Sequence, residues 1–264
     1  MLAILVSLAL LIVLTFRKIN IVVVGIAAAA VMALLSGQPV VTAVTDTYMT
    51  GAAQFMRDNF LLFFFSVLFG KVMEETGAAA SIAKFLAELL GEKFAILGVI
   101  FSGAVLVYGG VTTLVVVFSL YPIALSLFKK ANLPRYLLPG AIAGGCFTFA
   151  CANFPGTPNL VNVIPTTYLG TNTMAAPLVG VITGIAVMLM VCVYFLWEAS
   201  RARARGDCFV EDEATTQSLV KAASMVRLPS PIIAILPIVL ILILLNVFKQ
   251  HVVVAMLGGI LLCV

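Results

Sequence analysis

Residues 94–128 run for 35 positions without one charged side chain. Most of the other long segments of the chain are of the same kind. A helix crosses the roughly 30 Å hydrocarbon layer with about 20 apolar residues, at about 1.5 Å each. Runs of this type therefore ask for lipid as the solvent. Composition agrees: of 264 residues, 63% are hydrophobic and 10% charged, against about 45–50% and about 25% in a soluble domain. Lipid offers no hydrogen bonds, so each spanning segment must satisfy its own backbone. The expected class is an all-α membrane protein of multiple spanning helices.

The spans read as follows. Residues 2–16 form a first, shortish helix; they lack a basic leader region, and Arg17-Lys18 stands where a cleavage site would be expected, so this is a retained helix rather than a signal peptide. Residues 19–35 form a second span. Residues 40–58, with Asp46, Arg57 and Asp58, read as an interfacial segment or loop, and residues 60–73 as a third span closed by Glu74-Glu75. Residues 79–90 place Ile82, Phe85, Leu86, Leu89 and Leu90 at helical spacing, with Lys84 and Glu88 elsewhere on the wheel, which suits a helix along the membrane surface. The charge-free run 94–128 is broken at Gly109-Gly110. A broken helix over 137–168, a crossing over 175–197, a polar cytoplasmic loop over 198–228, a crossing over 232–248 and the start of another at 252 complete the chain.

Position of charge sets orientation. With the Arg17-Lys18 turn inside and 94–128 entering and leaving on one side, 13 of the 15 basic residues are cytoplasmic, leaving Arg57 and Lys249 outside. The same charges would tolerate two full crossings of 94–128. Each arm is somewhat short for that, so a re-entrant hairpin is the preferred reading. The five cysteines form no CxxC or Cys/His pattern, so no metal site or cofactor is expected, and they read as small hydrophobes.

The sequence also resembles itself. Ala3-Ile4-Leu5, Leu11-Ile12, Leu14, Lys18 and Val22-Val23 recur 231 positions later as Ala234-Ile235-Leu236, Leu242-Ile243, Leu245, Lys249 and Val253-Val254. With the hairpin uncounted, five crossings precede the second copy, which turns it upside down. The expected plan is a pair of inverted repeats, common in secondary transporters: residues 1–230 form the first, and residues 231–264 the first two helices of an incomplete second.

Backbone that leaves helix or sheet at bilayer depth costs roughly several kcal/mol per unpaired group, and persists where protein buries it or a solute reaches it. Two places qualify. One is the turn Gly109-Gly110-Val111-Thr112-Thr113; the other is Asn153–Asn162, whose Pro155 and Pro158 cannot continue a helix. Each can present a half-helix N-terminus, suited to an anion. The candidate substrate-binding residues are Gly109, Gly110, Thr112, Thr113, Gly156, Thr157, Asn159 and Asn162, which bring dipoles, hydroxyls and amides but no charge. Glu74 and Glu75 are candidates for proton coupling. His251 reads as a boundary residue, and Arg201–Arg205 with Glu211-Asp212-Glu213 as a solvated loop. No HExxH, GxSxG or membrane-embedded aspartate pair is present, so no catalytic residue is assigned.

Three blocks carry a likeness to a known family: Gly70-Lys71-Val72-Met73-Glu74-Glu75-Thr76-Gly77-Ala78, then Tyr108-Gly109-Gly110-Val111-Thr112, then Pro155-Gly156-Thr157-Pro158-Asn159 with the segment 162–171. Together they resemble the gluconate permease family within the wider ion transporter superfamily. The resemblance implies proton-coupled uptake of gluconate or a related hydroxy-acid, such as glycerate or 3-hydroxybutyrate, across a bacterial inner membrane. It also implies a re-entrant hairpin followed by a broken helix. Family members commonly carry Gln-Ile-Gln-Asn after the second proline, where this chain has Asn159-Leu160-Val161-Asn162. The expected partners are a small organic anion, protons (sodium being the alternative), the lipid bilayer and, in an oligomer, a second copy as a homodimer; no nucleic acid is expected. The family's second half, with its own hairpin and break, is not in this sequence. A non-transporting membrane scaffold is the rival from another class.

Overall fold

Apolar runs punctuated by Gly and Pro give helices with short turns. The computed structural model describes residues 2–210 and 228–263, and among them every regular element is helical. Residues 1–60 and 61–264 form two units, taken in turn here.

In the first unit, α1 (Leu2–Phe16) and α2 (Ile21–Leu35) pack as a pair. Lys18 turns the chain with φ 61°, and the Asn20 side chain accepts the Val22 amide at 2.9 Å, capping α2. The segment 40–58, expected as an interfacial stretch or loop, is instead helical. Val40–Glu75 runs for 36 residues, with a wider π-type stretch over Ala43–Tyr48 leading into α3 (Met49–Glu75). Asp46, Arg57 and Asp58 misled the reading because charges on an exposed helix face do not interrupt backbone bonding. No proline falls between 40 and 75, and only proline removes an amide.

The second unit is built around α5 (Ala95–Tyr108). It packs against α4 (Ala78–Leu90), α6 (Thr113–Lys130), α7 (Leu137–Cys146), α8 (Phe149–Ala152) and α10 (Pro177–Ala204). Small residues let the backbones close, as helix association in lipid requires. A Cβ on Gly98 would stand 3.2 Å from Ala87 Cα, and one on Gly103 2.8 Å from Cys146 Sγ. A Cβ on Gly145 would collide with the Ile100 carbonyl. Ser102 adds polar glue, donating to the carbonyls of Gly98 (2.7 Å) and Ala83 (3.1 Å).

Helix α4 occurs where expected, but it is less of a surface helix than its pattern suggested. Ala79, Ile82, Ala83 and Ala87 bury against protein, while Phe85 and Leu89 stay exposed. It meets the following helix at a 105° bend. The crossing expected over 175–197 extends to Ala204, so the first residues assigned to the polar loop are helical. Arg201 lies over the Trp197 ring, and Arg205 pairs with Glu198 at 2.9 Å. Glu211-Asp212-Glu213, Lys221 and Arg227 lie outside the described residues. Beyond the break come α9 (Leu160–Leu169), then α11 (Pro231–Asn246) and α12 (Val252–Cys263), which pack on each other.

Val40–Glu75, Thr113–Lys130 and Pro177–Ala204 are long and apolar enough to cross a membrane. Their outward faces are apolar: Leu189, Met190 and Val193 of α10 are all exposed. Buried apolar surface cannot explain such faces in water, so this is a membrane protein.

Candidate functional site

The two interruptions meet. α5 ends at Tyr108, and Gly110 turns the chain at φ 91°. The turn closes on its own helix, with the Gly110 and Val111 amides donating to the Val107 and Leu106 carbonyls at 3.0 and 3.1 Å. A side chain at Gly110 would also meet Pro158 Cγ at 2.7 Å, so only glycine satisfies both the turn and the contact. The second interruption lies directly against it. Tyr108 Oη donates to the Pro155 carbonyl at 2.9 Å, and Thr157 Oγ1 donates back to the Tyr108 carbonyl at 2.9 Å.

Residues 153–159 have no regular ladder, so their polar groups must find other partners. The Gly156 amide donates to the Thr173 carbonyl at 2.8 Å. The Gly156 carbonyl accepts Asn246 Nδ2 at 2.9 Å. Asn162 Nδ2 spans the Thr157 and Thr173 carbonyls at 3.0 and 3.1 Å. Phe154 stacks edge-on against Tyr108 and Phe149, lending the loop an apolar anchor.

Two helices begin here, and their ends differ. Asn159 Oδ1 accepts the Val161 amide at 3.2 Å and caps α9. Thr112 precedes α6 but does not cap it; its hydroxyl donates instead to the Ser66 carbonyl at 2.8 Å. The first turn of α6 thus keeps amides without a side-chain cap, the feature that favours an anion. Thr113 is the first residue of that helix.

The sequence-derived residues are therefore brought together, with distinct roles. Thr157 is fully buried and its hydroxyl also accepts the Asn159 amide at 3.2 Å, so it locks the two breaks to each other. Gly109 packs against Ile238, and Gly156, with φ 82°, against Met174 and Asn246. Glu74 and Glu75 stand elsewhere, at the end of α3, where both pair with Lys71 at 3.3 and 3.7 Å.

Four participants are not among the candidate site residues: Ser66, Thr173, Asn246 and Tyr108, the last present only within one of the blocks that carry the family likeness. Ser66 and Thr173 act through carbonyls, which leave no mark in sequence. Asn246 did leave one, as the single polar side chain ending the apolar run 232–246.

Comparison with known proteins follows the same path along the chain. Over 163 residues, 62% of this chain, it is 42% identical to a protein of Bacillus subtilis (strain 168) named uncharacterized transporter YxjC. The matched stretch covers 34% of that relative, so the chain spans well under two thirds of its length. No solved structure matches. The family described as GntP family permease matches residues 1–257. A match that runs from the first helix through both breaks and into the last leaves one conclusion: the chain belongs to the GntP family of permeases.

Proposed function

We propose that the chain serves secondary active transport of small organic anions, gluconate or a related hydroxy-acid, with the substrate docking where the two breaks face each other. Family membership points to transport rather than catalysis. The observation that carries the reading is the polar seam itself. Tyr108, Thr157, Asn162 and Asn246 hold irregular backbone together inside an otherwise apolar unit, and such backbone is retained at bilayer depth where it lines a path. The uncapped start of α6 supplies donors for a carboxylate, with Thr112, Thr113, Asn159 and the backbone at Gly109, Gly110 and Gly156 around it.

In this proposal residues 94–128 form the re-entrant hairpin, although α6 is by itself long enough to cross. The repeat plan (1–230, then 231–264 as the opening of a second, inverted copy) draws support from the turns. Lys18 and Lys249 share a left-handed backbone, φ 61° and 50°. Asn20 and His251 each accept the amide two residues on, at 2.9 and 3.3 Å. Both pairs are 231 positions apart, and two matched features in each turn go beyond apolar coincidence.

Proton coupling, with Glu74 and Glu75 as carriers, is favoured over sodium. The carbonyls at the breaks each already accept one protein donor, Tyr108 from Thr157, Pro155 from Tyr108, Gly156 from Asn246, and Thr157 from Asn162, which leaves each a single lone pair for a sodium ion. The setting is a bacterial inner membrane, and a homodimer is compatible with it. Uptake of labelled gluconate into cells expressing the protein, with sodium absent and external pH varied, tests the reading. Uptake that rises as external pH falls and ignores sodium is expected; uptake that needs sodium overturns the coupling, and no uptake of any hydroxy-acid overturns the substrate class.

A further inference from the structure

Beside the seam, where α9 ends and α11 passes into α12, lies a cavity of ≈ 310 Å³. That is the lower end of the range for small-molecule sites, roughly 300–1,000 Å³. Its wall is unlike the rest of the unit. Thr166, Thr171 and Thr173 supply hydroxyls, Asn246 an amide, and Lys249 and His251 basic groups, while no aspartate or glutamate lines it. Lys249 is exposed, and no acidic side chain among the described residues pairs with it.

We propose that this cavity is a second, capture subsite for a hydroxy-acid: the carboxylate sits on the Lys249 ammonium, and the substrate hydroxyls meet the threonines and Asn246. The substrate class rests on the transport reading above; the anion preference rests on the wall alone.

Three observations point to an anion with hydroxyl groups. The first is charge, since a lone ammonium in a wall free of carboxylates is complementary to a single negative group. The second is the amino end of α12, whose first residue, Val252, belongs to the wall. The positive end of that 12-residue helix adds to the Lys249 field. The third is Asn246, whose Oδ1 is buried without a hydrogen-bond partner among the described residues while its Nδ2 serves the Gly156 and Leu242 carbonyls. Such an acceptor is costly to leave unpaired; it has no exposed surface as it stands, so a small shift of the Asn246 side chain that admits a ligand hydroxyl from the cavity would relieve it.

The left-handed turn at Lys249 is not part of the argument, because Lys18 makes the same turn. What is particular to Lys249 is the wall around it. Asn246 and Thr173 belong to both the cavity and the seam, so an anion held here lies one step from the breaks. On the orientation expected from the charge pattern, Lys249 stands on the outer side, where incoming substrate would be met.

The test uses the full chain in lipid nanodiscs, with labelled gluconate as the probe and equilibrium binding as the readout. Lys249→Asn keeps a residue that tolerates the left-handed turn, and Lys249→Arg keeps the charge. Gluconate should bind saturably and be displaced by glycerate but not by the neutral polyol sorbitol. Lys249→Asn should weaken binding by about tenfold or more, as loss of a charged hydrogen bond does, with thermal stability unchanged, and Lys249→Arg should retain it. Absence of gluconate binding, equal displacement by sorbitol, or unaltered binding in Lys249→Asn each overturns the subsite. Gluconate uptake by the same variants separates the two readings. Transport with an unaltered KM in Lys249→Asn removes the subsite and keeps the transporter. Lys249-dependent binding without any uptake keeps the subsite and removes the transporter.

Discussion

The two breaks differ in how they satisfy their backbone. At residues 109–112 the chain turns on a single left-handed glycine, and its amides return to the last carbonyls of the helix just completed. At residues 153–159 the amides of Asn153 and Phe154 return to the Phe149 carbonyl, but the bonds that follow reach farther. The carbonyls of Pro155, Gly156 and Thr157 are met by Tyr108, Asn246 and Asn162, and the Gly156 amide by Thr173. The first break is a largely self-sufficient turn; the second relies on Tyr108, Thr173 and Asn246 from other segments and on Asn162 of the helix that follows it. That difference divides labour. The self-sufficient turn leaves the start of α6 without a side-chain cap, hence with donors to offer, while the dependent one is a clamp that holds the first in place.

The comparison breaks most severely at Gly110. Gly110→Ala forces a side chain into φ 91° and against Pro158. The expected cost is roughly 2–4 kcal/mol from strain and overpacking together. Thermal melting of the purified protein should show a large drop, and gluconate uptake should be lost. The clamp is tested next by Thr157→Val, which keeps shape but strips the hydroxyl from between Tyr108 and Asn159. Two half-buried groups then lose their partner, at about 1–3 kcal/mol. Uptake should vanish while membrane expression persists; uptake at the wild-type rate would remove Thr157 from the seam's function.

Asn159→Ala separates capping from binding. Loss of the cap on α9 costs about 1 kcal/mol. Asn159→Asp keeps an accepting oxygen, so it should restore stability; if uptake stays lost, the amide also serves substrate. The smallest structural effect belongs to Glu74→Gln with Glu75→Gln. Both carboxylates are away from the seam, paired with an exposed lysine, so melting should not change. A flattened dependence of uptake on external pH would assign them to proton movement, and an unchanged profile would clear them.

Much of this was legible beforehand. Residues 2–16 are the first helix, the break at 109–110 falls where two glycines adjoin, and the failure of helix after 152 coincides with the proline pair. The misreadings share a cause. Charges in 40–58 suggest an interfacial segment or loop and those in 198–204 a polar loop, yet a charged side chain at an exposed position leaves the backbone ladder intact. The pairing of α4 with α5 through Ala83 and Ala87 was hidden because alanine looks indifferent on a helical wheel, although in lipid small residues mark where backbones approach.

The sequence by itself determined that the chain lives in lipid, where most of its helices run, and where glycine and proline stop them. Those are local matters of apolar length and of which residues lack an amide or accept a left-handed turn. Only the tertiary structure decided that the two stops adjoin, that Thr157 joins them, and that Asn246 links the seam to a basic cavity. Those bonds connect groups 46 to 90 positions apart, often through carbonyls that every residue carries. A feature common to all residues cannot be read from which residues are present.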